Sequence, residues 1–246
     1  MSISKKFITR PTQQIYKNYT SEDFKVWKIL FNRQLKNLEG IVADKFIQAL
    51  ENLNFTAEKI PNFIEINNNL KKLTGWSIKT VPNISPPDEF FSMLSQKKFT
   101  TTCWLRSLSQ IDYLEEPDMF HDVFAHVPLL SNKNYTYFFK EMGKIAMSVI
   151  HDPLKLKKLQ RIYWFTIEFG LIKNNENIKI YGAGIISSNE ESQNVFSNKS
   201  LKTEFNVSKI MNHSFRTDVI QNTYYYINSF EQLISSLPEI KKNIHL

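Results

Sequence analysis

Apolar residues recur at helical spacing through the first half of the chain. Phe24, Trp27, Leu30, Phe31, Leu35 and Leu38 form one such stripe, and Thr20 with Asp23 supplies a capping-box start. A second helix is predicted over about residues 41–53, with Val42, Phe46, Leu50 and Leu53 inward. A third is predicted over 63–73, closed by Gly75. Three prolines between Val81 and Pro87 exclude regular structure there, and Pro87 then opens a helix whose first turn carries Asp88 and Glu89.

The second half is read with more mixture. Residues 99–105 favour a strand. Pro117 is expected to open a helix carrying Asp118 to His126, limited by Pro128. Further helices are predicted over 135–150 and over a long stretch, 154–171. A turn at 174–177, a strand at Tyr224-Tyr225-Tyr226 and a short final helix over 230–237 complete the pattern. The expectation is a mainly α fold with a few short β-strands, in one domain spanning 1–246, with residues 1–18 a poorly ordered arm.

Composition narrows the classes. With 246 residues, 42% hydrophobic and 22% charged, the chain reads as an ordinary globular protein. One cysteine excludes an internal disulfide framework, and six glycines include no G-x-G-x-x-G. Neither a signal-like start nor an 18-residue apolar run is read, so a cytoplasmic protein with no membrane partner is expected. The net charge of +7 raises a basic nucleic-acid-binding module as an alternative from a different class. Its lysines lie in scattered pairs without an Arg-rich arm, which argues for no nucleic-acid partner.

The chemistry concentrates in two segments. His121 and His126 stand five apart, whereas a zinc-protease motif needs four. On a straight α-helix, residues five apart point about 140° from each other, so a shared metal requires His126 to sit at a frayed helix end. Glu168 is the one charge in the apolar run from Ile162 to Leu171, and a buried carboxylate needs a partner or a cation. Two histidines and a carboxylate can make the facial triad of a non-haem Fe(II) oxygenase. A lysine salt bridge to Glu168 beside two core histidines reads the same residues without a metal.

Longer motifs then carry a resemblance. Tyr113-Leu114-Glu115-Glu116-Pro117-Asp118 runs into His121-Asp122 and His126-Val127-Pro128-Leu129-Leu130. Tyr163-Trp164-Phe165-Thr166-Ile167-Glu168-Phe169-Gly170-Leu171 follows, and then Tyr181-Gly182-Ala183-Gly184-Ile185-Ile186-Ser187-Ser188. In this order they resemble the pterin-dependent aromatic amino acid hydroxylases, and most of all the short bacterial phenylalanine 4-hydroxylases. The resemblance implies an Fe(II)- and tetrahydropterin-dependent monooxygenase, using tetrahydrobiopterin or a related pterin. It would convert L-phenylalanine and O2 to L-tyrosine, with tryptophan or tyrosine hydroxylation as the alternative.

Residue by residue, the resemblance implies metal ligation by His121, His126 and Glu168, with Glu168 and Trp164 as catalytic positions. It implies pterin contacts from Asn83, Ile84, Ser85, Phe90, Asp122 and Tyr163, and amino-acid contacts from Arg106, Pro117, Trp164 and Ser187. At i+4, Trp164 and Glu168 would share a helix face. The sequence departs from the family at Ala125 and Asn83, both usually glycine, and Asn83 is the residue expected to tolerate a left-handed backbone there. Neither a regulatory domain nor a tetramerisation helix is read, so a monomer is expected.

Overall fold

The computed structural model describes residues 10–245. The helices from the first half form as the local signals require. α1 (Ser21–Leu38) starts at the reciprocal Thr20–Asp23 capping box. α2 (Asp44–Asn52) is shorter than expected, although Val42, Phe46, Leu50 and Leu53 are all buried. α3 (Phe63–Leu73) ends before Gly75, whose φ of +77° suits glycine. β1 (Ser77–Thr80) leads into the proline loop, and Pro87 is the first residue of α4 (Pro87–Ser95). β2 (Lys98–Thr101) pairs parallel to β1.

α5 (Lys133–Met147) is the central helix and packs on α4. Gly143 permits this approach, since a Cβ there would lie 2.5 Å from the Ser95 backbone nitrogen. α6 (Pro153–Tyr163) is capped by Asp152. The expected long helix over 154–171 is not one α-helix. It widens into a π-helical segment, Trp164–Glu168, and the chain then enters β3 (Gly170–Asn174). β3 forms a hairpin with β4 (Asn177–Ile180), followed by α7 (Ala183–Ser187), α8 (Asn189–Asn194), β5 (Leu201–Glu204), α9 (Val207–Asn212) and β6 (Thr223–Ile227). The second sheet has the order β4-β3-β6-β5. α10 (Phe230–His245) packs on α5 and runs through Pro238, well past the expected end at residue 237.

The expected loose arm is partly corrected. Residues 1–9 lie outside the described residues, but residues 10–18 are tied to the body. The Gln14 side chain donates to the Pro61 carbonyl and accepts from the Phe63 N–H, and the Tyr16 hydroxyl donates to the Ile60 carbonyl. No described helix is long and apolar enough to cross a membrane.

Candidate active site

The segment Phe120–His126 is itself a π-helix, not the α-helix expected from Pro117 onward. A π-turn closes between residues five apart, so His121 and His126 come onto one face. The frayed end inferred from Pro128 is therefore not what unites them. The opposite face is fixed by aromatic packing: Phe120 and Phe124 stack at 4.6 Å, Trp27 meets Phe120 at 5.7 Å, and Phe31 meets Phe124 at 5.2 Å. These rings are buried and hold the segment that carries the histidines.

The second π-segment, Trp164–Glu168, brings the carboxylate to the same place. The Phe169 N–H donates to the Trp164 carbonyl, a bond spanning five residues. The His126 Nε2 lies 3.2 Å from Glu168 Oε1, and the His121 Nε2 lies 3.6 Å from Oε2. The three ligand atoms fall within 4.8 Å of one another. No lysine pairs with Glu168 among the described residues, so the lysine-bridge reading of that carboxylate is not met. Behind it the backbones are in close contact, because a Cβ on Gly182 would lie 2.5 Å from the Glu168 carbonyl oxygen.

Protonation suits cation binding. Burial pushes the Glu168 carboxyl up, but the two imidazoles and the Tyr163 hydroxyl outweigh it and hold the group at about 2. Burial pushes His121 down to about 4, against the attraction of Glu168. An anionic carboxylate beside a neutral imidazole is the form that ligates metal. The Ser187 hydroxyl donates to the Ala183 carbonyl and lies 2.8 Å from His121 Nδ1. That arrangement makes Nδ1–H the donor and leaves the Nε2 lone pair directed at the cleft. The His126 Nδ1 is buried with no protein partner and stands against the Phe99 ring.

A second cluster sits beside the first. The Arg106 Nε and Nη2 donate to the two carboxylate oxygens of Asp118, each at 2.9 Å. Asp118 is fully buried and also accepts from the N–H groups of Arg106, Phe120 and His121. It therefore caps the first π-helix and orients Arg106 at once. The Nη1 edge of Arg106 makes no bond to the described residues and can meet a second anion in the two-pronged manner of guanidinium groups.

Residues 5–245 match the family model described as biopterin-dependent aromatic amino acid hydroxylase. The chain belongs to this family. It is 42% identical to phenylalanine-4-hydroxylase of Chromobacterium violaceum over 219 residues, 89% of this chain and 73% of that protein. It is 34% identical to the Pseudomonas aeruginosa phenylalanine-4-hydroxylase, over 94% of this chain and 87% of that one. The C. violaceum enzyme solved with iron(III) and 7,8-dihydrobiopterin superposes with a TM-score of 0.89 at 38% identity, covering 96% of this chain and 86% of that one. The same enzyme bound to cobalt gives 0.90, with the same identity and coverage.

The other positions singled out in the sequence have the following surroundings. The Phe90 ring meets Tyr163 edge to face at 5.2 Å, and the Tyr163 hydroxyl bonds Glu168. Asp122 accepts from the Thr102 N–H and hydroxyl, and burial pushes its carboxyl up to about 6. Ile84 is 68% exposed at the loop's outer edge, and the Ser85 hydroxyl is buried without a partner. Asn83 is not left-handed, so the conformational argument made for it does not apply; the positive-φ non-glycine residues described are Asn54, Lys97 and Asn175. Ala125 is 1% exposed, so its methyl group is accommodated inside the first π-helix. Pro117 is half-buried next to Glu116.

Trp164 takes a different place from the one its i+4 spacing suggests. In a five-residue turn it is Tyr163 that aligns with Glu168. The Trp164 ring instead stacks on Phe215 at 4.5 Å, and its Nε1 donates to Gln221 Oε1. Gln221 also donates to the Arg216 and Val219 carbonyls, and its N–H donates to the buried Glu191. Phe215, Gln221, Glu191 and Asp118 were given no role by sequence reasoning. Only Asp118 left a signal, an acidic residue between a proline and the start of a helix.

Proposed function

We propose that this chain hydroxylates L-phenylalanine to L-tyrosine with O2 and a tetrahydropterin, at an iron held by His121, His126 and Glu168. The observation that carries the reading is the convergence of these three side chains from two π-helical segments. Two imidazoles and a carboxylate leave coordination positions open, as the non-haem oxygenases require. When bound, Fe(II) and the reduced pterin together supply the activation of dioxygen.

The chain's own residues bind, orient and exclude. Arg106, fixed along one edge by Asp118, presents its other edge to the substrate carboxylate. The Trp164–Phe215 stack and Pro117 wall the ring of the amino acid, and Ser187 holds the His121 imidazole in the ligating tautomer. Phe90, Tyr163 and the Val81–Ser85 loop form the slot for the flat pterin, with the Asp122 carboxyl beside it. The buried aromatic shell closes the site from behind and leaves His121 and Glu168 only partly accessible to water. The large exposed apolar residues belong to many separate elements, which supports a monomer.

The test is anaerobic reconstitution with Fe(II), then addition of O2, tetrahydropterin and an equimolar mixture of phenylalanine, tyrosine and tryptophan. Tyrosine formation dependent on both metal and pterin is expected. A hydroxylated tryptophan as the main product would move the substrate assignment, and no product from any of the three would overturn the reading.

A further inference from the structure

Trp104 joins three separate pieces of chain. Its indole Nε1 donates to the Pro82 carbonyl at 3.1 Å, one residue before Asn83 in the proline loop. Its own carbonyl accepts from the Met119 N–H at 2.9 Å. Above the indole ring lies the Arg10 guanidinium, 3.5 Å from the ring centroid. The Arg10 Nη2 in turn pairs with Glu116 Oε2 at 3.0 Å. Glu116 immediately precedes Pro117, and Trp104 stands two residues before Arg106. The residues after Arg10 hold the same segment: the Cys103 thiol faces the Pro11 carbonyl, and the Tyr19 hydroxyl donates to the Cys103 carbonyl at 2.7 Å.

Leu108 and Ile111 pack on the core, but the end of the loop that Arg10 reaches is lightly held. Tyr113 is 75% exposed, and the side chains of Asp112 and Glu116 are largely exposed as well. Besides the Arg10–Glu116 pair, the loop is tied from outside by the Arg33–Asp112 pair, the Arg33 bond to the Ile111 carbonyl and the Leu108 N–H donated to Glu22 Oε1, and none of these three reaches residues 113–117. A guanidinium stacked on an indole is a favourable and geometrically demanding contact, and a flexible ammonium reproduces it poorly.

We propose that Arg10 is a positioning residue for amino-acid binding. By stacking on Trp104 and pairing with Glu116 it clamps the loop before Pro117 onto the segment carrying Arg106. Trp104 links the same clamp to the proline loop through Pro82. The inference rests on the functional reading above for the identity of the amino acid. A loop competent only part of the time weakens binding by the fraction of time it is competent, without altering the chemical step once substrate is bound.

The experiment compares wild type with Arg10→Gln, Arg10→Lys and Glu116→Gln, in the full chain loaded with Fe(II). Arg10→Gln and Glu116→Gln are each expected to raise the KM for phenylalanine about tenfold, a loss of the order of one good cation–π or ion-pair contact. Their kcat at saturating phenylalanine is expected within twofold of wild type, and their Co(II) affinity unchanged. Arg10→Lys should fall between wild type and Arg10→Gln. The double variant should cost less than the sum of the singles, since both remove one coupled contact. Amide hydrogen exchange over residues 107–117 should rise in Arg10→Gln.

Unchanged KM in a folded Arg10→Gln protein would overturn the proposal, as would parallel losses of kcat and Co(II) affinity. If wild type hydroxylates nothing, the functional reading fails separately. The clamp is then judged by exchange alone, and unchanged protection over 107–117 in Arg10→Gln overturns it.

Discussion

The Nε2 atoms of His121 and His126 stand 3.2 Å apart although five residues separate them in sequence. A π-turn makes this possible, and the aromatic shell of Trp27, Phe31, Phe120 and Phe124 holds the turn in place. His121 depends on a neighbour for its aim as well as on its own donor atom.

That neighbour is Ser187. Replacing Ser187 by alanine removes the acceptor at Nδ1 and frees the imidazole to change tautomer. Metal affinity should fall by about 10–100-fold, the usual effect of losing such an outer partner. Titration of the apoprotein with Co(II), followed by visible absorption, reads the change; an unaltered binding curve would remove Ser187 from this role.

Asp118 performs two tasks from a fully buried position, pairing with Arg106 and capping the first π-helix. Asp118→Ala strands a buried guanidinium and should cost about 3–5 kcal/mol of folding stability. Denaturant unfolding measures this. Any folded remainder should show a raised KM for phenylalanine, because Arg106 loses its fixed edge.

Ala125 replaces a residue that is usually glycine in the family, and its methyl group is buried without displacing the histidines. Ala125→Gly should therefore lower stability by about 1 kcal/mol through added backbone freedom in the unfolded chain. Co(II) affinity should remain as in wild type. A gain in affinity would mean that the methyl group crowds the metal centre.

Glu191 is buried, accepting from the Gln221 N–H and the Tyr224 hydroxyl, and burial raises its carboxyl above the ordinary value. The folded state thus holds this proton to higher pH than the unfolded state. Between the unfolded value and the raised folded one, stability falls as pH rises, and the loss persists at neutral pH. Glu191→Gln removes this slope, so its melting temperature should gain on wild type as pH increases from about 4 to 8, starting near the unfolded glutamate value. Parallel melting curves across that range would contradict the assignment.

Much of the helical framework could be read from local signals. Thr20 and Asp23 cap α1, Gly75 follows α3 and Pro87 opens α4, each through interactions within a few residues. The three side chains that converge, His121, His126 and Glu168, were also singled out in the sequence, two by residue type and spacing and one by its isolation in an apolar run. What could not be read was the device that unites them. A π-turn is selected by packing partners far away in sequence, and its five-residue spacing looks like a misfit until those partners are present. The strand β3 was hidden for a similar reason. Its apolar residues continue the pattern of α6, while its partner β6 lies more than fifty residues further on. Arg10 gave no signal because its role depends on an indole and a carboxylate both distant in the chain.

Each π-turn carries one residue of surplus chain. If either relaxed to a regular α-helix, that surplus would pass downstream and rotate every following side chain by about 100°. The chain after neither segment is free to absorb such a rotation. The first segment runs directly into the buried Pro128, and the second runs into Gly170, already registered against Tyr225 in the sheet. The extra residues are locked between fixed neighbours, and the geometry of the ligand set is a matter of residue count as much as of residue type.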